Sequence, residues 1–139
     1  MTFLRRLILA VWTGGLLAVG GLVAPTLFSV LTDRTLAGRV AAELFTRVTL
    51  VSLVFAVCLA FATLIFDRSD GARRRAVYTM LPGVLLAGNE YLVRPTLQLV
   101  RAVSGGSSAV FAVWHSISAG LYIVASLVVL GLLIVELRR

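Results

Sequence analysis

Glu90 and Arg94 stand one helical turn apart inside an otherwise apolar stretch, with Asn89 just before them and Pro95 just after. A carboxylate four residues ahead of a guanidinium is the favourable order for an ion pair on a helix. The chain's one histidine, His115, lies in a later apolar run with Ser118 three residues on, and Pro25 interrupts the first such run. Charged groups in a bilayer core cost several kcal/mol unless they meet partners or water, so they mark sites by default. Glu90, Arg94, His115, Asn89, Ser118 and Pro25 are therefore the candidate ligand-binding residues. Glu90 needs a partner or a proton, and Arg94 and His115 can supply one. Two blander readings stand beside this one. The pair could be a structural link between the third and fourth helices, or both groups could lie in the membrane interface.

Other chemistries lack their residues. Ser116 and Ser118 neighbour His115, but no third group is evident to orient it as a base, so no enzymatic activity is expected. Copper(I) prefers sulfur ligands, yet Cys58 and Met80 fall in the opposite halves of their helices from His115. A single histidine excludes bis-histidine haem ligation within one chain. No metal and no cofactor is expected, and Cys58 reads as a small hydrophobe.

The elements that must position these residues are helices in lipid. Of the 139 residues, 60% are apolar and 14% are charged, against about 45–50% and about 25% in soluble domains. A water-soluble fold of this size could not hide so much apolar surface. All 13 basic residues are arginines and the net charge is +7. They cluster beside long apolar runs, which is how membrane proteins set orientation, so a nucleic-acid partner is not expected.

Crossing about 30 Å of hydrocarbon takes roughly 20 helical residues. Four spans come close, at about residues 7–31, 48–66, 76–97 and 109–135, and the whole of 1–139 reads as a single transmembrane domain. The first run is far longer than the apolar centre of a signal peptide and is expected to stay as an anchor. Short polar connections at 67–75 and 104–108 force antiparallel neighbours. The fold class is all-α, an integral membrane four-helix up-down bundle. From Asp33 to Arg47, Leu36, Val40, Leu44 and Val48 alternate with a charged row of Arg39, Glu43 and Arg47. That pattern predicts an amphipathic helix between spans 1 and 2, lying on the lipid surface or extending the second span. No internal repeat is evident, which disfavours an inverted-repeat transporter within one chain.

Eight arginines (5, 6, 68, 73, 74, 75, 138 and 139) fall on one side and five (34, 39, 47, 94 and 101) on the other. Both termini are then cytoplasmic, in a bacterial inner membrane. Helices in lipid associate through small and polar residues. The expected inner stripes are Gly14, Ala18, Gly21 and Pro25; Thr49, Ser52, Ala56 and Thr63; Gly83, Ala87, Glu90 and Arg94; and His115, Ser118, Tyr122 and Ser126. Pro25, Thr26, Thr49, Ser52, Asn89, Glu90, Arg94 and His115 then share the outer half, as a polar pocket opening outward.

Several short motifs resemble a known family in order as well as in content. They are Val23-Ala24-Pro25-Thr26-Leu27-Phe28, Ala37-Gly38-Arg39 followed by Leu44-Phe45, Asn89 with Pro95, and Phe111 with His115 and Ser118. The chain resembles the bacterial membrane proteins of unknown function that share a domain with vertebrate transmembrane protein 205. Tyr122 stands where that pattern has an asparagine seven residues after the histidine. The resemblance implies a four-helix membrane fold and a distant similarity to copper-resistance membrane domains, with no established activity and without the missing copper ligands. Two functional expectations result. One is a small solute or ion bound in, or passed through, the polar pocket, with a homo-oligomer needed for alternating access. The other is a non-catalytic assembly subunit with a membrane-protein partner.

Overall fold

The computed structural model describes residues 2–138, with side chains from residue 3 onward; Met1 and Arg139, the latter part of the orientation count, lie outside it. Among the described residues there are four long helices and no strand. Helix α1 covers residues 2–30, α2 is Arg34–Phe66, α3 covers 72–104, and α4 is Ala109–Leu137. Three of them, α1, α2 and α4, are long and apolar enough to cross a membrane. The third falls short because Glu90, Arg94 and Arg101 break its apolar run.

The ends of the helices follow from local chemistry. Asp33 caps α2, its Oδ1 accepting from the backbone N–H groups of Thr35 at 2.8 Å and Leu36 at 3.1 Å. Ser108 caps α4 by accepting from the Phe111 N–H at 3.2 Å. Each cap satisfies amide donors that a helix start leaves unpaired. Gly105 ends α3 at φ 78°, a left-handed conformation that an L side chain resists.

Two proline-linked turns shape the bundle. Helix α1 is regular over Thr2–Ala18, widens into a π-turn over Val19–Val23, and resumes over Ala24–Val30. Helix α3 repeats the sequence of events, with Ala72–Gly88, a π-turn over Asn89–Val93, and Arg94–Ser104. The Ala24 and Arg94 amides bond to the carbonyls five residues back, Val19 and Asn89. Pro25 and Pro95 follow directly, and a proline has no N–H and crowds the carbonyl four residues earlier; a widened turn relieves that clash.

Similar short sequences underlie the two turns. Leu22-Val23-Ala24-Pro25-Thr26-Leu27 and Leu92-Val93-Arg94-Pro95-Thr96-Leu97 occupy the same place in α1 and α3. Each helix is followed by a side-chain cap and a second long helix. The hairpins 2–66 and 72–137 thus share a proline-linked π-turn in their first helix.

The four helices form a ring in which chain neighbours pack together and α1 closes against α4. Leu9, Trp12 and Leu16 of α1, Ala56 and Leu59 of α2, Leu86 of α3, and Ala125 and Val129 of α4 make the core. Helices α2 and α3 approach closely at Gly83, where an added Cβ would stand 2.9 Å from the Ala56 Cβ. Large apolar side chains such as Phe61, Leu64, Leu92 and Ile123 face outward. Small and hydroxyl-bearing residues lie between the helices instead, the distribution expected when lipid is the solvent.

The stripes match in part. Thr49, Ser52, Ala56 and Thr63 are all buried, as expected for α2. On α1 the expectation is overturned, because Gly14, Gly21 and Pro25 are exposed and the inner face is Leu9, Trp12, Thr13 and Leu16. Trp12 decides this, since its ring has a large apolar surface to bury and its Nε1 finds Ser52 Oγ at 2.8 Å. The stretch 34–47 is the outward extension of α2, a helix of 33 residues and so about 50 Å long. Its packed row is Ala37 and Ala41, one position from the anticipated row, while Leu36 and Val40 are exposed.

Candidate functional site

The π-turn of α3 sets Glu90 against α2, and Arg94 opens the regular segment that follows. Thr46 faces both from α2. Arg94 Nη1 donates to Glu90 Oε1 and to Thr46 Oγ1. The Thr46 hydroxyl lies 2.8 Å from Glu90 Oε1 and 3.1 Å from the Ala42 carbonyl. Its single proton is better placed for the carboxylate, so the three groups close a ring in which each hydrogen bond orients the next. The Glu90 and Arg94 side chains are 12% and 22% exposed, partly withdrawn from solvent but not sealed.

This ring borders a polar cavity of about 290 Å³, lined by Thr46, Glu90, Arg94, Pro95 and Gln98. Glu90, Arg94 and Gln98 recur every four residues and therefore share one face of α3. A cation, a carboxylate, a hydroxyl and an amide converge on one opening. Such a set can bind a small polar or zwitterionic molecule, or an ion, through donors and acceptors already oriented by one another.

The remaining candidates sit elsewhere. His115 is exposed on α4, its ring stacked on Phe111 at 5.9 Å and 11°. Ser118 is half-buried on the same helix and Pro25 is exposed on α1. Asn89 is adjacent to Glu90, and its Oδ1 is buried with no hydrogen-bond partner, but it does not line the cavity. The pocket accordingly lies between α2 and α3, not between α3 and α4. Thr46 and Gln98 escaped sequence reasoning, although the four-residue step from Glu90 through Arg94 points directly to Gln98. Thr46 hides beside the charged row, one position from Arg47.

A second cluster closes the opposite end. Arg5 Nη1 donates to Thr63 Oγ1 at 2.6 Å, and Arg5 Nε lies 3.2 Å from Glu136 Oε2. Arg6 Nε donates to the Glu136 carbonyl at 3.2 Å. Glu136 is only 6% exposed, and the sequence reading ended the fourth span just before it. In both clusters an arginine bonds a glutamate and a threonine of α2, but only Thr46 bonds both ions; the Thr63 hydroxyl donates to the Leu59 carbonyl instead. Thr46 and Thr63 are separated by about 25 Å along the helix, close to the roughly 30 Å of a hydrocarbon core. The clusters thus fit the two edges of a bilayer, with the dry core of Leu16, Leu86, Ala125 and Val129 between them.

Among the described residues, no group of three or more His, Cys, Asp or Glu side chains could hold a metal ion. Cys58 is exposed on α2. Ser116 donates to the Ala112 carbonyl at 2.9 Å.

A family model described as a domain of unknown function, DUF4149, matches residues 7–95. The chain belongs to this family. The match takes in both π-turns, Thr46, Glu90 and Arg94, and ends at Pro95. Gln98 and the Phe111, His115 and Ser118 positions lie beyond the matched part of the DUF4149 chain. No curated protein and no solved structure shows significant similarity to it.

Proposed function

We propose that this membrane-spanning protein binds a small polar solute or ion in the cavity beside Thr46, Glu90 and Arg94, without catalysing a reaction. The observation that carries the reading is a partly buried Arg–Glu–Thr ring bordering an open polar cavity. A purely structural ion pair needs no such opening. The dry core below it favours binding over passage through a single chain, so a transport role would require a homo-oligomer. From the arginine distribution we infer that both termini are cytoplasmic and that the cavity faces outward; a bacterial inner membrane is the setting the family resemblance implies. Kinship with vertebrate transmembrane protein 205 and copper-resistance domains belongs to the same proposal and brings no activity with it.

The test is thermal unfolding of the purified protein in detergent against a panel of acetate, glycine, betaine, sodium and chloride. A ligand that binds only the folded state raises its melting temperature. At least one panel member is expected to stabilise the wild type and His115→Ala, but not Thr46→Val or Arg94→Gln. No shift with any of them, or equal shifts in all four proteins, defeats the reading.

A second reading, an assembly subunit, draws on one observation. Gly14, Gly15 and Gly21 face outward, and an added Cβ at each would meet nothing within 4 Å. A flat, small-residue face of this kind lets a partner helix approach closely. It predicts a stable larger complex in gentle detergent that Gly14→Leu disperses while the chain stays folded.

A further inference from the structure

A second concavity lies between α1 and α2, about 210 Å³ in volume, on the flank of the bundle. Its walls are apolar, including Val11 and Gly15 from α1 and Val48, Val51 and Phe55 from α2. Trp12 and Ser52 form part of its lining, and they satisfy each other through their 2.8 Å hydrogen bond. Apart from that bonded pair, the wall between the two helices is apolar. One charged side chain reaches the groove, Arg47.

Arg47 is the last charge on α2 before the charge-free stretch 48–66, so it marks one membrane interface. From Arg47 to Phe55 the groove runs about 12 Å along the helix, within the depth of one leaflet. An apolar channel capped by a cation at headgroup level matches an amphiphile with an acyl tail and an anionic head. Glu43 engages Nε and Nη2 of Arg47 at 3.0 Å each, which leaves Nη1 for a phosphate oxygen.

We propose that this groove holds one phospholipid from the leaflet on the Arg47 side, with an acyl chain against Gly15 and Val51 and its phosphate on Arg47. The site is separate from the polar cavity and stands or falls without it. Gly15 allows a direct test, because an added Cβ there meets no protein atom within 4 Å, and a larger side chain would fill the groove without a clash at its base.

Native mass spectrometry of the detergent-purified protein, titrated with phosphatidylglycerol, reads the occupancy. Wild type is expected to retain one phosphatidylglycerol, and Gly15→Phe and, from the opposite wall, Val51→Trp to lose it while keeping their helical circular dichroism. If one variant misfolds, the other decides. Arg47→Gln is expected to weaken retention by about fivefold, as loss of one interfacial cation implies, and Glu43→Gln to strengthen it. Absence of retained lipid in the wild type, or retention unchanged in the folded groove-filling variants, overturns the proposal. So does a groove-filling variant that converts a dimer to a monomer with lipid retention unaltered, because the groove would then be a contact between copies.

Discussion

Ser52 is what permits Trp12 to be 2% exposed, since the indole N–H has no water to turn to at that depth. A buried donor deprived of its acceptor costs about 1–3 kcal/mol. Ser52→Ala is expected to lower stability by that amount in detergent unfolding, and Ser52→Thr by much less. Glycines divide in the same manner. Gly83→Val should cost about 1–3 kcal/mol by overpacking against Ala56, whereas Gly14→Val, with open space around it, should be close to neutral in the same assay. Residue identity alone does not separate these two glycines; their distances to a neighbouring helix do.

At the scale of the element, each π-turn is followed by a proline two residues beyond its end. Pro95→Ala restores an amide donor that can reach the Tyr91 carbonyl, so the turn over Asn89–Val93 is expected to tighten toward α-helix. Slower amide exchange there, with weaker solute stabilisation, would report it; unchanged exchange would mean that packing against α2 holds the turn instead. The α2–α3 connection is set by a different device. Asp67 accepts from the Ser69 backbone N–H at 3.1 Å and from Arg75, and Arg75 also donates to Ser69. Hydrogen bonds from Ser69, then the Arg75 charge, hold the Asp67 carboxyl below its ordinary value despite an opposing desolvation effect. A lowered folded-state value means that the stabilisation is complete above the unfolded value of about 3.9 and is lost as pH falls through the folded one. The melting temperature of the wild type should therefore fall more steeply below about pH 4 than that of Asp67→Asn.

For the whole molecule, two Arg–Glu pairs, each with a threonine of α2 bonded to its arginine, sit near opposite ends of an apolar core, and the arginine excess lies at the Arg5 end. If that end faces the cytoplasm, a carboxyl-terminal alkaline phosphatase fusion is inactive and a green fluorescent fusion is bright. The opposite pattern would invert the orientation and turn the polar cavity toward the cytoplasm. Cavity and lipid groove lie at the Thr46–Arg47 level of α2, so both proposals concern the edge of the membrane away from the termini.

Composition and charge spacing alone were enough to establish four helices, their lipid solvent and the Glu90–Arg94 pair, because each depends on residue type and on separations within one helix. Which faces turn inward was not legible: α1 presents Leu9, Trp12 and Leu16 rather than its glycines, and His115 stays apart from Glu90. Those outcomes depend on how whole helices rotate about their axes as they pack against one another. Thr46 and Glu136 become partners of distant arginines for the same reason, since contacts between helices are settled only when all four pack together.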